Sequence, residues 1–493
     1  MKATKRDIRQ GLEAIKKVAV DAFEQNDLTR SLKFIRAYVD IAGQFNFEYS
    51  DLEMELLLSA IAKKRIKTEA WDAEEGHWLF YDDFCTSYVL GLQWLEALAS
   101  SGKEILYITT RDLDRKSRHK YIYDSAEQYS NVHCVVVPQG ETLRRAQDVY
   151  NEIARFKPSK VILHKSPALS VVNFVLPVLP ESVKKYIINL SDQTFWYGSQ
   201  VIDYCLEFRD FGASVSLQRR GLKKEQLLMV PFYPADDGIP FAGFPPECTD
   251  DKLIVFSGGD YYKTLDEGRT YWRLVKRLLD TYPQIVFLFA TKNIPEGDAE
   301  IKRFIADNNF EDRFLYIKFR PDINQVFEHC DIYMGTCPTS GSLMSQLAAL
   351  HSKPILQYYA PGTPDDETEQ AICINTHFPI SCYTEEAFLA EADRLIVDLQ
   401  YRRSQGEQLR KAMMQKEQFN QLALKTIESN QTQINFQEIE INYDDLDKRW
   451  YYLEKAGYIH SIPYIYSLLG PKECLKKAPS IFFKKNLKRI INE

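Results

Sequence analysis

From Gly76 onward the sequence alternates short apolar strands with helices, and it does so in two successive rounds. The first round opens with His77-Trp78-Leu79-Phe80-Tyr81-Asp82-Asp83, a strand ending in carboxylates. A helical period over Ser87–Leu98 follows, closed by Gly102, then strand Glu104–Thr109, strand Val132–Pro138, helix Thr142–Phe156 and strand Lys160–His164. A helix over Val171–Leu179, strand Lys185–Leu190 and a closing strand near Gln226–Pro231 complete it. The second round runs through strands at 253–256, 285–290, 314–318, 332–334 and 354–357, with helices at 266–282, 299–308, 323–329 and 342–350 between them. Strands that are apolar throughout, rather than alternating, are covered on both faces, and strands separated by helices pair in parallel. Right-handed crossovers then wind each sheet in both directions. The predicted fold class is therefore α/β: two doubly wound, Rossmann-like units whose strand ends face a cleft.

The rest of the chain divides around these units. Residues 1–70 are expected to form helices that dock on the rest or on a partner, and residues 71–235 form the first unit. The Pro- and Gly-rich stretch 231–246 links it to a second unit at 236–395, and 396–493 holds helices and a basic tail. A length of 493 residues agrees with about three such units. The net charge of −7 excludes a global nucleic-acid footprint. Nine cysteines without a CxxC pair predict reduced thiols in a cytoplasmic setting. No apolar leader and no apolar run of about 18 residues is visible. Eight histidines without paired ligand spacing predict neither metal nor cofactor. Asp112-Leu113-Asp114, set among arginines and lysines, reads as a solvated turn.

Two loops of the second round suit phosphate chemistry. Ser257-Gly258-Gly259-Asp260-Tyr261-Tyr262-Lys263 leaves a strand for a helix. Its glycines let backbone amides approach an anion, and Lys263 adds charge. Gly335-Thr336-Cys337-Pro338-Thr339-Ser340-Gly341-Ser342 does the same one crossover later, with hydroxyls and the positive end of a helix. A plain turn, or an N-cap by Ser340 or Ser342, accounts for either loop alone. Arg320, ending another strand, has the fork to hold a diphosphate or to make a salt bridge.

The run Cys330-Asp331-Ile332-Tyr333, Pro338-Thr339-Ser340-Gly341-Ser342, Leu347-Ala348-Ala349 and Lys353-Pro354-Ile355 resembles the donor-site segment of GT-B glycosyltransferases. The resemblance covers roughly residues 76–425. It implies a donor site made of Gly258, Gly259, Lys263, Arg320, Thr336, Ser340, Gly341, Ser342 and Gln346. Retaining family-4 members carry a ribose-gripping Glu seven positions before the Pro. Here that position is Leu347, so the grip passes to Gln346, or to Glu367 or Glu369 in the next loop.

In the first unit, Asn189-Leu190-Ser191-Asp192-Gln193-Thr194-Phe195-Trp196-Tyr197-Gly198 is similar to an Asn/His–Asp–His–Phe–Trp–Gly run of bacterial sugar transferases, with Gln193 in place of the His. The resemblance implies a catalytic role for Asp192 and acceptor contacts from Gln193 and Trp196; Asp82 and Asp83 join Asp192 as catalytic candidates because they end a strand at the same edge. Capping and turn chemistry account for any single Asp equally well. The expected activity is glycosyl transfer from a nucleotide-diphosphate sugar, UDP-linked above all, to a glycan, lipid-linked or protein acceptor. An epimerase of the same fold and a non-catalytic partner subunit remain as alternatives. The stretch 471–489 gathers seven Lys/Arg with Ile481, Phe482 and Phe483. It fits an anionic membrane surface or a solubilising helix.

Overall fold

The computed structural model describes residues 4–45, 47–84, 88–113, 118–234, 238–291, 295–359, 367–444, 446 and 451–484. They form two compact units. The first comprises Met1–Val230 with Leu422–Ile439 and Leu453–Glu493, and the second Pro231–Gln421 with Glu440–Tyr452.

The first unit is built on a seven-stranded sheet of β1 (Glu74–Asp82), β2 (Glu104–Thr109), β3 (Val132–Val136), β4 (Pro158–His164), β5 (Lys184–Ile188), β6 (Tyr204–Glu207) and β7 (Leu227–Met229). Its order is β3-β2-β1-β4-β5-β6-β7, and neighbouring strands are parallel. Burial along the whole of β4, and from Trp78 to Asp82 of β1, explains the unbroken apolar runs: helices cover both faces. The crossovers leave β1 in one direction and β4 in the other. Their loops diverge at the carboxyl ends of these two strands, where doubly wound sheets open a crevice. Asp82 stands there, in register with Thr109 of β2 and His164 of β4.

The second unit repeats the scheme with β8 (Leu253–Gly258), β9 (Ile285–Ala290), β10 (Phe314–Tyr316), β11 (Ile332–Met334), β12 (Ile355–Tyr358) and β13 (Ser381–Cys382). The order β10-β9-β8-β11-β12-β13 puts its reversal between β8 and β11.

Three departures from the sequence reading have local causes. The expected helix at Val171–Leu179 is two short 3-10 turns, Val171–Phe174 and Leu176–Val178. Pro177 supplies no N–H for a helical ladder, and Asn173 is tied to Ser170 N and Tyr197 O. Strand β6 lies in a stretch where no strand was expected. Strand β13 is two residues long, too short to leave a pattern.

Residues 1–70 are not set apart. The helices Lys5–Glu24, Leu28–Ala42 and Leu52–Arg65 share one apolar core with the first sheet. Glu55, on the third helix, accepts from Ser199 N, Ser199 Oγ and Gln200 N at 3.2, 2.8 and 2.9 Å. Of the two docking alternatives, attachment to the rest of the chain is the one realised. The C-terminal helix Tyr451–Lys477, broken at Gly470, returns to the same bundle. Ile465 and Ile481 reach Gly11, where a Cβ would stand 2.6 and 2.9 Å from their Cδ1 atoms. Lys477 pairs with Asp21 at 3.0 Å and Lys484 with Asp7.

This changes the reading of the tail. Ile481 is fully buried and Phe482 packs on the core, so two of the apolar residues offered to a membrane are committed within the chain. Leu475 and Phe483 remain about half exposed, at 47% and 53%. Lys485, Lys488 and Arg489 lie outside the described residues. No helix among those described is long and apolar enough to cross a membrane.

Ile481→Ala is expected to lower stability by about 2–5 kcal/mol, as for a buried aliphatic truncation. Phe483→Ala should change it by less than about 0.5 kcal/mol. Thermal unfolding of the two variants, read at the transition of the first unit, checks the contrast.

Candidate functional site

In the second unit both glycine loops sit at the β8/β11 reversal. Gly258 is tightly packed: a Cβ there would lie 3.0 Å from Ala290 O. Gly259 has φ +146°, a conformation L side chains rarely adopt. A 3-10 turn at Tyr261–Thr264 then carries Lys263 across to the second loop. Its Nζ lies 3.5 Å from Ser340 O, and Thr339 N donates to Lys263 O at 3.4 Å. A Cβ on Gly341 would stand 3.8 Å from the same Nζ. The predicted residues Gly258, Gly259, Lys263, Thr336, Ser340, Gly341 and Ser342 are thus brought together.

Gly341, not Ser340 or Ser342, occupies the N-cap of the nine-residue helix Ser342–Leu350, and no side chain caps it. Amides at an uncapped helix start present positive potential to an anion. Thr336 donates its hydroxyl to Thr339 O at 2.7 Å, so it closes the loop rather than facing a ligand. Ser340 Oγ donates to Glu367 Oε2 at 3.1 Å.

Three of the named residues have partners within the fold. Gln346 is buried, and its Nε2 donates to Phe232 O and Ala371 O at 2.9 and 2.8 Å, while its Oε1 has no partner among the described residues. Glu369 takes Ile380 N, Ser381 N and Ser381 Oγ, each at 2.7 Å. Arg320 forks onto Asp322 at 2.7 and 2.6 Å and donates to Gly243 O at 2.9 Å. That pairing fastens the segment at Ala242 and Gly243 and holds the Asp322 carboxyl below its usual range. Of the named ribose candidates, Glu367 alone reaches the glycine loops.

In the first unit the three aspartates have structural partners. Asp82 is fully buried. It meets His164 Nδ1 at 2.7 Å and His119 Nδ1 at 3.1 Å, and accepts from Tyr107 OH at 2.9 Å. Burial opposes its charge, but the hydrogen bonds from His119 and His164 outweigh that and hold the carboxyl well below the usual range. Asp83 accepts from Ser166 N at 2.8 Å, Tyr81 OH at 3.2 Å and Ser170 Oγ. Asp192 is clasped by Arg209, Nε to Oδ2 at 2.7 Å and Nη2 to Oδ1 at 3.2 Å, with both side chains buried. All three expected catalytic carboxylates, Asp82, Asp83 and Asp192, thus have hydrogen-bond partners within the first unit.

The run around Asp192 is a braced corner. Arg220 is buried and donates to the carbonyls of Ser191, Asp192 and Thr194 at 3.3, 2.6 and 2.9 Å. Trp196 packs under its guanidinium, 5.1 Å away, inside the core. It is therefore not an acceptor platform. Gln193 is half-buried on the same corner.

Sequence reasoning missed Lys165. It follows β4 directly, is 4% exposed, and donates to Ser166 O at 3.0 Å. Burial pulls its ammonium down to about 8, against the raising influence of the Asp83 and Glu55 charges. The available signal was an ionisable pair, His164-Lys165, directly after the apolar run Val161-Ile162-Leu163. Asp112 is exposed, and Asp114 lies outside the described residues.

No family model matches the chain, and no curated protein resembles it. Solved structures do. A mutant O-GlcNAc transferase of Thermobaculum terrenum aligns over 92% of this chain and 83% of its own, at 12% identity and TM-score 0.53. A glycosyltransferase of Rickettsia africae aligns over 72% of this chain and 98% of its own, at 11% identity and TM-score 0.52. A putative UDP-N-acetylglucosamine 2-epimerase of Listeria monocytogenes aligns over 72% and 97%, at 10% identity and TM-score 0.50. The chain has the GT-B fold expected from its donor-side motif.

Arg209→Met leaves a buried, unpaired Asp192 and is expected to cost about 3–5 kcal/mol. The double change with Asp192→Leu should recover much of that loss in thermal unfolding. Lys165 gives a pH signature. Its ammonium is depressed in the fold, so the unfolded chain binds more protons between about pH 8 and the ordinary value of 10.5. Its contribution to stability therefore rises with pH across that window. Lys165→Met should raise stability at pH 7, and the difference from wild type should shrink by pH 10.

Proposed function

We propose that the chain is a nucleotide-sugar-dependent glycosyltransferase that seats its donor diphosphate at the carboxyl ends of β8 and β11. The observation that carries this is the position of Lys263. One ammonium is held between a glycine loop with φ +146° and the uncapped start of a helix. Backbone amides, a helix dipole and a cation at one place are what a leaving diphosphate needs as the glycosidic bond breaks. Glu367 is the proposed ribose carboxylate, since Gln346 and Glu369 are tied into the fold. A uridine nucleotide is the favoured donor, because a structure of this fold is named for UDP-N-acetylglucosamine.

Epimerisation would call for additional carboxylates near the reacting sugar. The first-unit carboxylates named above are saturated by hydrogen bonds, which favours transfer to a glycan, lipid-linked or protein acceptor. None of the described cysteines is in a disulfide, in keeping with a reducing, cytoplasmic setting.

Calorimetry and donor hydrolysis with UDP-, GDP- and ADP-sugars test the reading. Lys263→Ala should weaken nucleotide-diphosphate affinity at least tenfold, with stability changed by less than about 1 kcal/mol. Glu367→Gln should weaken UDP binding as well. Gly341→Val should abolish it by blocking backbone approach. Unchanged affinity in Lys263→Ala would remove the donor site. A wild-type chain that binds no nucleotide would support the non-catalytic reading.

A further inference from the structure

We propose that the carboxyl edge of β1, β2 and β4 in the first unit is an anion site that takes a phosphate group of the acceptor substrate. The word acceptor rests on the proposed glycosyl transfer; the anion site rests on the first unit alone.

Lys165 is the starting point. A buried ammonium has three donors, and among the described residues this one makes a single hydrogen bond, to Ser166 O. Among the described residues no carboxylate contacts it. Asp83 turns its oxygens to Ser166 N, Ser170 Oγ and Tyr81 OH, and Glu55 to Ser199 and Gln200. At about 8, the ammonium is still charged near neutral pH. Unmatched buried charge is destabilising, and its presence at the sheet's reversal point marks a place for a ligand.

Two more cations join the same hydrogen-bonded network. Arg111 Nε donates to Asp83 O at 2.9 Å. Arg145 Nη2 donates to Thr110 O, while its Nε is buried without a partner. Tyr81 OH links Asp83 to Thr110 Oγ1 and Ser170 Oγ at 3.2 and 3.1 Å, so hydroxyls floor the site. Gly198, at φ +125°, passes the lysine without a side chain; a Cβ there would lie 3.9 Å from Lys165 Cε.

The three cations enter from different segments: Lys165 after β4, Arg111 after β2, and Arg145 from the helix Thr142–Phe156. A planar carboxylate offers two oxygens to one side. A tetrahedral phosphate offers oxygens to donors arriving from all three segments.

The test is titration calorimetry on the full chain at pH 7, with UDP saturating so that the donor site is filled. The probes are inorganic phosphate, glucose 1-phosphate and farnesyl phosphate. At least one should bind. Lys165→Met and Arg145→Gln should each weaken that binding tenfold or more while leaving UDP affinity unchanged, with thermal unfolding of the first unit reporting that both variants fold. Tightest binding of farnesyl phosphate assigns a lipid-linked acceptor, and of glucose 1-phosphate a soluble sugar phosphate. If none of the three probes binds wild type, or if Lys165→Met binds them as tightly, the site is refuted. Phosphate binding in a chain that takes up no UDP would leave this site standing and overturn the donor reading instead.

Discussion

Everything polar in this chain is disciplined by two parallel sheets with both faces covered. In such a sheet the backbone donors and acceptors are consumed by the ladder, and a polar strand side chain must find its partner inside the fold, as Tyr107 does in Asp82 and Lys160 in Tyr186. Chemistry is then confined to the carboxyl ends of strands, where crossovers part. Each unit has one such place, between β1 and β4 and between β8 and β11. The candidate residues fall at these two points or at strand ends adjoining them.

The ends are treated in opposite ways. At β8 and β11 the chain removes side chains: Gly258, Gly335 and Gly341 are buried and Gly259 is half-buried. A Cβ on Gly335 would overlap Gln357 Oε1 at 1.8 Å, so the second loop can leave its strand only through glycine. At β1, β4 and β6 the chain instead buries charge. Asp82 meets two imidazoles, Asp192 a guanidinium, and Glu207 is met by Asn189 and by Ser216 at 2.5 Å. Burial pushes the Glu207 carboxyl up, while Ser216, Arg220 and Asn189 pull the other way. Such carboxylates pin loops; removing a partner is costly because the remaining group has no water to turn to.

The strands and their order were legible because buried parallel strands and amphipathic crossovers leave strong, long patterns. The glycine loops were legible because closely packed backbone requires a residue type. Side-chain roles were not. Asp82, Asp192 and Trp196 have the right types at strand ends, yet whether a carboxylate is open or clasped depends on partners far along the chain: His119 and His164 for Asp82, Arg209 for Asp192. Gln346 shows the same limit, since its amide is held by Phe232 O, more than a hundred residues away in sequence. The attachment of residues 1–70 also depends on long-range contacts. Their periodicity announces an apolar face, but only Gly11 against Ile465 and Ile481 says what covers it.

The contrast between Arg209 and Lys165 separates structure from function on physical grounds. Both are buried cations at the carboxyl side of the first sheet. Arg209 makes a fork with Asp192, and the pair is neutral, so the fold gains a rigid corner and nothing is left for a ligand. Lys165 has one carbonyl and no contacting carboxylate, so its burial works against the fold. A chain selected for stability alone would lose such a lysine to methionine, which fills the same volume without the charge. The Asp83 and Glu55 charges favour its ammonium without contacting it, and the proposed anion would supply the missing partner.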